Sequence, residues 1–208
     1  DATSEYLNSF EIQVIMSVLR IIDNPANDIS QIIVLRSTIG NFNDNELIKI
    51  RGRDKDKAFY YSIQEYIEKE NGDIELKNKL KEYLERIEDW RKQSKYLPLD
   101  ELIWKIYMET GFYHYVSLMQ NGEYRTANLK MLFEKAKQYE KTSFKGLFNF
   151  ISFIEKLRFY FKQTVEYRNP SEVFGVNLFD TVRKIWVNHN FKVALFKQKS
   201  ALSKPCNF

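Results

Sequence analysis

The chain has 208 residues, of which 44% are hydrophobic, 15% aromatic and 29% charged, which is enough apolar material for one sizeable folded domain. Its single cysteine excludes an internal disulfide, and no apolar run approaches the ~20 residues that a membrane-spanning helix needs. The net charge is +4, and residues 121–208 hold 16 Lys and Arg against 7 Asp and Glu, a basic surface that either attracts phosphates or is simply solvated.

The first five residues have neither an initiator methionine nor the pattern of a signal peptide. Together with the absence of disulfides, this predicts an internal fragment of a longer cytoplasmic protein.

Apolar residues recur at helical spacing in the N-terminal part of the chain. A first helix follows Asn8-Ser9 and ends at Asp23-Asn24-Pro25, because proline disfavours helical geometry in the residue before it. Asp28 is the predicted cap of a short second helix. After a turn, Asn43 or Asp44 is the predicted cap of a third.

A charged loop at residues 51–57 leads to a fourth helix, which ends at the turn dipeptide Asn71-Gly72. Asp73 then caps a long amphipathic helix. Its apolar stripe is Leu76, Leu80, Tyr83, Leu84, Ile87 and Trp90, and its charged face is Glu75, Lys79, Glu82, Arg86 and Asp89. The spacing predicts that the first set faces the core and the second faces solvent.

Further helices follow Pro98. One ends before Gly111, a residue suited to the left-handed position after a helix, and a short aromatic helix ends at Asn121-Gly122. Thr142 or Ser143 is the predicted cap of the last helix. Because alternating strand patterns are scarce, the predicted fold class is all-α, with an irregular tail at residues 167–208.

The residues that catalysis requires do not gather into a recognisable site. A phosphate-binding loop ends in Gly-Lys-Ser or Gly-Lys-Thr, and none of the seven glycines is followed by lysine. His114 and His189 lie far apart, Cys206 lacks a basic environment, and the acidic residues follow the pattern of solvated helix faces. We therefore predict no catalytic residue, cofactor site or metal site in this segment.

Aromatic residues between Phe144 and Phe161 are interleaved with lysine and arginine. Such a pattern can stack the bases of a single-stranded nucleic acid. The helical spacing favours the alternative, a hydrophobic core with basic flanks.

Several strings of the sequence resemble, in the same order, the A-subunit family of ATP-dependent helicase/nucleases. The strings are Phe10 to Pro25, Asp28-Ile29, Val34 to Ser37, Leu102 to Tyr107, Thr110-Gly111, Ala127 to Leu129, Thr142 to Phe148 and Phe153 to Leu157. The family is the large subunit of bacterial helicase–nucleases that process double-strand breaks. The resemblance covers residues 5–158 and implies that residues 1–166 form the helical second insertion domain of a UvrD-like helicase.

Two departures from the family pattern stand out. The family has proline after its Arg-Ser pair, where this chain has Thr38. Its His-x-Ser-Lys-Gly-Leu-Glu motif is absent around residues 187–192, so the tail is degenerate, frame-shifted or differently terminated.

The resemblance implies a DNA contact at the turn after the second helix. The predicted contact residues are Arg36, Ser37, Gly40, Asn41, Lys49 and Arg51. A glycine lets backbone amides approach phosphates, and the N-terminus of the next helix adds a positive dipole. A plain helix–turn–helix corner is the alternative.

The leading hypothesis is therefore a fragment of an ATP-dependent helicase–nuclease that acts in recombinational repair of double-strand breaks. This segment would engage duplex DNA or a duplex–single-strand junction. The resemblance implies ATP, Mg and the second subunit of the helicase–nuclease only for the parent enzyme. The alternative hypothesis is a structural or protein-interaction module without DNA contact.

Overall fold

A computed structural model describes residues 6–52 and 56–166 of the chain. The regular structure in this part is helical and contains no β-strand, so the all-α prediction is confirmed. The helices are α1 (Phe10–Asp23), α2 (Asp28–Arg36), α3 (Asp44–Arg51), α4 (Phe59–Glu68), α5 (Ile74–Gln93), α6 (Leu99–Glu109), α7 (Phe112–Ser117), α8 (Gly122–Glu140) and α9 (Leu147–Glu166). None of these described helices is long and apolar enough to cross a membrane.

The residues up to Lys162 belong to one compact unit. The proposed boundary at residue 166 stays a prediction, and the predicted tail, with His189 and Cys206, lies outside the described residues.

Helix α1 is the centre of this unit and packs against α2, α5 and α8. It is apolar on almost every side, as expected of a helix surrounded by others. Its fully buried side chains include Ile12, Ile15, Met16, Leu19 and Ile21. Around it, α4 packs against α2, α3 and α5, while α6, α7 and α8 pack against one another.

Several of the predicted helix ends are confirmed, including the end of α1 at Asp23 and the cap of α3 at Asn43. The Asp73 side chain accepts a hydrogen bond from the Leu76 backbone N–H at the start of α5. Gly111 follows α6 with a φ of 66°, a left-handed conformation that glycine adopts at little cost.

The predicted cap of α2 is wrong by one residue. Asn27 accepts the hydrogen bond from the Ser30 N–H, whereas the Asp28 carboxylate accepts one from the Phe59 N–H at 2.7 Å. Asp28 therefore fastens the start of α4 to α2. Local spacing predicts that this carboxylate caps α2, but in the fold it binds a backbone N–H that is distant in sequence.

The predicted start of the last helix is also wrong. Thr142 accepts a hydrogen bond only from the Phe144 N–H, and α9 begins at Leu147. Gly146 has a φ of 105° immediately before the helix, so the chain leaves helical geometry there. Similarly, the pair Asn121-Gly122 opens α8, while α7 has already ended at Ser117.

The α5 stripe is buried at Leu76, Leu80, Tyr83, Ile87 and Trp90, but Leu84 is only half-buried. The charged face is not entirely in solvent either. Arg91 donates to the backbone carbonyls of Ile21 (2.9 Å) and Ile22 (2.8 Å) near the end of α1. Arg91 thus donates to carbonyls in the last turn of α1.

A buried ionic contact joins α1 to α8. The Glu11 side chain is fully buried and accepts hydrogen bonds from the Arg125 guanidinium and the Asn128 amide, both at 2.7 Å. The Glu11–Asn128 hydrogen bond joins two of the strings on which the family resemblance was based, although 117 positions separate these residues.

Candidate nucleic-acid interface

The turn between α2 and α3 uses its backbone amides internally. The N–H groups of Gly40, Asn41 and Phe42 donate to the carbonyls of Val34 (3.2 Å), Ser37 (2.7 Å) and Leu35 (2.8 Å) respectively. The Asn43 N–H donates to the Glu46 carboxylate. These four amides are therefore already satisfied and would have to break a hydrogen bond in order to bind a phosphate.

The start of α3 is closed by a capping box. Asn43 accepts from the Glu46 N–H, and the Glu46 carboxylate accepts from the Asn43 N–H. Burial raises the pKa of Glu46, but hydrogen bonds from Asn43 and Lys79 outweigh it and hold the pKa below its ordinary value. An ionised carboxylate thus already occupies the positive end of the helix dipole.

Gly40 is buried against its own preceding helix. A Cβ atom there would lie 2.6 Å from Leu35 Cα and 2.7 Å from the carbonyl oxygens of Leu35 and Val34. The glycine is therefore required by the close return of the chain onto α2, and this explains its presence without any ligand.

We expect Gly40→Ala to lower the free energy of unfolding by about 1–3 kcal/mol, because the added methyl group meets backbone atoms that have little room to move. Urea denaturation of the purified chain measures this change. Thr38→Ala is the matched control, since Thr38 is exposed in the same turn and should change stability by less than about 0.5 kcal/mol. If the midpoint of urea unfolding is unchanged in Gly40→Ala, the close approach of residue 40 to the backbone of α2 is contradicted.

Two basic side chains of α5 donate hydrogen bonds to backbone carbonyls of the α2–α3 turn. Lys79 Nζ donates to the Asn41 carbonyl (2.6 Å) and to the Glu46 carboxylate (2.9 Å), and it lies 4.3 Å from the centre of the Phe42 ring. Arg86 donates to the Ile39 carbonyl at 3.0 Å. Helical spacing predicts a solvent-facing position for both residues, so neither contact follows from the sequence.

Two of the proposed contact residues carry exposed cationic side chains. Arg36 lies at the end of α2 and pairs with Asp44 at 3.2 Å, and Lys49 lies on α3 and pairs with Asp73 at 3.5 Å. More than half of each basic side chain is accessible to solvent. Exposed pairs of this kind contribute only about 0–1 kcal/mol, so a phosphate can compete for either cation.

Two of the other proposed contact residues, Ser37 and Arg51, make side-chain hydrogen bonds within the fold. The Ser37 hydroxyl is buried, donates to the Val34 carbonyl and accepts from the Ile39 N–H. Asn41 is exposed and left-handed, with a φ of 58°. Arg51 is half-buried and donates to the Lys57 carbonyl at 2.6 Å, with its guanidinium 5.6 Å from the centre of the Phe59 ring.

A second basic surface lies around α9, where the ammonium groups of Lys141, Lys145 and Lys156 make no ion pair or hydrogen bond with a described residue. Phe148 and Phe159 are exposed, whereas Phe150 is buried beside Tyr139 at a ring distance of 5.4 Å. The aromatic run is thus divided between core and surface.

No group of three or more His, Cys, Asp or Glu side chains that could hold a metal ion occurs within residues 6–52 and 56–159. His114 is exposed on α7 and contacts the Tyr113 ring edge-on, which agrees with a surface histidine in an aromatic patch.

No protein-family model matches the chain. Curated proteins named as the A-subunit of ATP-dependent helicase/nuclease are similar to it. Those of Alkaliphilus oremlandii and Alkaliphilus metalliredigens are 46% and 48% identical over 158 residues, and that of Clostridium botulinum is 48% identical over 183 aligned positions. Each alignment covers 76% of this chain, and the chain spans only 13–14% of the length of these relatives.

Proposed function

This chain belongs to the A-subunit family of ATP-dependent helicase/nucleases as a homologue of one segment of those proteins, and on that basis we propose that it is part of a cytoplasmic helicase–nuclease that processes DNA double-strand breaks for recombinational repair. The observation that carries the proposal is the identity of 46–48% to these relatives across three quarters of the chain.

Within this proposal, ATP and Mg bind to other segments of the parent enzyme. This chain has no Gly-Lys-Ser or Gly-Lys-Thr sequence with which to surround a nucleotide phosphate. The segment contributes a rigid helical body that positions duplex DNA, or a duplex–single-strand junction, while the motor hydrolyses ATP elsewhere. The second subunit of the helicase–nuclease is a further partner of the parent enzyme.

We propose that the DNA contact is made by side-chain cations and not by the amides of the turn. Arg36 and Lys49 are the two exposed cations on the helices that the turn joins. Arg51 is engaged by Asp28 and Phe59, and Ser37 and Gly40 are buried. The contact would therefore be weak, directed at phosphates and independent of base sequence.

Replacing Arg36 and Lys49 together with alanine should lower the slope of log Kd against log salt by roughly one to two units, because two phosphate contacts are lost. The measurement is fluorescence anisotropy of a labelled duplex carrying a single-stranded overhang, over a salt series. The fold should survive, since both side chains are exposed, and circular dichroism verifies this.

The matched control is Lys145→Ala with Lys156→Ala, which removes the same charge from the surface around α9. If this control loses DNA binding while the Arg36 and Lys49 variant binds DNA as the wild type does, the DNA contact lies at α9. Absence of duplex binding by the wild-type chain at low salt would remove the DNA role from this segment, while membership of the family would stand.

A second candidate function, a protein-interaction module, is favoured by one observation. Trp104 is 42% exposed and lies in the lining of a groove, a position from which an aromatic side chain can anchor a partner protein.

A further inference from the structure

A groove lies beside α6 and α8. Its lining residues come from a different part of the sequence than the α2–α3 turn. Its volume is about 630 Å³, within the range of sites that hold small ligands or several side chains. Its lining is Leu97, Asp100, Glu101, Trp104, Lys105 and Phe133.

The floor of the groove is aromatic and firmly held. The Trp104 ring contacts Phe133 at 5.6 Å and Tyr113 at 5.8 Å between ring centres. It also contacts Tyr107 at 6.3 Å, and Tyr107 is fully buried, with its hydroxyl donating to the Leu129 carbonyl. A tryptophan fixed in this way presents a preorganised surface, so little conformational entropy is lost when a partner covers it.

The charge of the groove is negative and unbalanced. Asp100 and Glu101 have no ionic or hydrogen-bonding partner among the described side chains, although Asp100 is half-buried. The lysine in the lining, Lys105, already pairs with Glu109 at 3.3 Å. Carboxylates in the first turn of α6 interact favourably with the helix dipole. That interaction does not require an exposed tryptophan beside them.

We propose that this groove binds a segment of a partner protein in which an arginine is flanked by apolar residues. The guanidinium would lie on the exposed part of the Trp104 ring and donate to the carboxylates of Asp100 and Glu101. The apolar neighbours would cover Leu97 and Phe133. The complementary charge of the two free carboxylates selects a cationic partner over nucleic acid, whose phosphates they repel.

The experiment uses the whole chain and two synthetic peptides. The probe is an acetylated, amidated peptide Leu-Ala-Arg-Leu-Leu, and its partner carries citrulline, a neutral analogue of similar shape, in place of arginine. Binding is followed through the indole N–H resonance of Trp104 by NMR, which the Trp104→Phe variant assigns. We expect a saturable shift at millimolar peptide, and binding about three- to tenfold weaker for the citrulline peptide.

The double variant Asp100→Asn with Glu101→Gln should bind the arginine peptide more weakly than the wild type does, by a similar factor. It should bind the citrulline peptide with the same affinity as the wild type. Glu75→Gln with Glu123→Gln is the matched control, because these acids lie in the first turns of α5 and α8 and outside the groove lining. Equal binding of both peptides by the wild type would overturn the arginine assignment. No shift of the Trp104 resonance would overturn the docking site, and neither outcome depends on DNA binding.

Discussion

Replacing Arg125 with methionine is expected to lower the free energy of unfolding by about 3–5 kcal/mol, because it leaves the Glu11 carboxylate buried without its cation. Glu11 is fully buried, and Arg125 contacts it at 2.7 Å. Methionine keeps most of the length of the side chain, so the loss reports the charge and not the packing. Urea or thermal unfolding of the two chains measures the difference.

The same contact predicts a dependence on pH. Burial raises the pKa of Glu11, but hydrogen bonds from Asn128, from its own backbone and from Arg125 outweigh it and hold the pKa below its ordinary value. A lowered carboxyl pKa stabilises the fold above the ordinary value, and this stabilisation is lost as the pH falls through the folded-state pKa. The stability difference between wild type and Arg125→Met should therefore be full at pH 7 and should disappear as the pH falls through the folded-state pKa of Glu11.

Two controls isolate the buried charge. Arg36→Met makes the same substitution in an exposed pair and should cost no more than about 1 kcal/mol. Combining Arg125→Met with Glu11→Gln should restore part of the lost stability, since no charge is then left in the core. A loss below about 1 kcal/mol in Arg125→Met alone would mean that water reaches Glu11.

Leu80→Ala is expected to cost about 2–5 kcal/mol, the usual range when a fully buried leucine leaves a cavity. Leu80 has no exposed surface and lies on α5, which packs against α1 and α4. The midpoint of urea unfolding should fall while its slope stays unchanged.

Leu84→Ala provides the comparison one turn further along the same helix. Helical spacing alone places Leu84 in the core with Leu80, and the sequence therefore predicts a loss of about 2–5 kcal/mol for Leu84→Ala. Because Leu84 is half-buried, we now expect only about 1 kcal/mol. Equal losses in the two variants would contradict the partial exposure of Leu84.

Most signals confined to one or two helical turns were predicted well, although the caps at Asp28 and Thr142 were not. The caps at Asp73 and Gly111 depend only on neighbouring residues, and local spacing is sufficient to find such positions. The strings that resembled the helicase/nuclease family were equally readable, and the similarity of the relatives confirms that assignment.

The buried face of α2 could not be predicted from hydrophobic spacing. Ile29 is 76% exposed, whereas Gln31 is 1% exposed. Gln31 is buried because its side-chain oxygen accepts a hydrogen bond from the Tyr83 hydroxyl at 2.7 Å. A polar residue enters a core only when a partner satisfies it, and Tyr83 comes from a helix 52 positions away in sequence.

The all-helical class, most helix boundaries, the family and the glycine-bearing turn between α2 and α3 all follow from the amino-acid sequence alone. Which groups form hydrogen bonds with the polar atoms of that turn depends instead on how the helices pack. Lys79 and Arg86 reach its carbonyls across 38 and 47 residues of chain, and they do so because α5 packs against α1 and α4. Periodicity reports which residues share a helix face, but it carries no information about which distant backbone that face will meet.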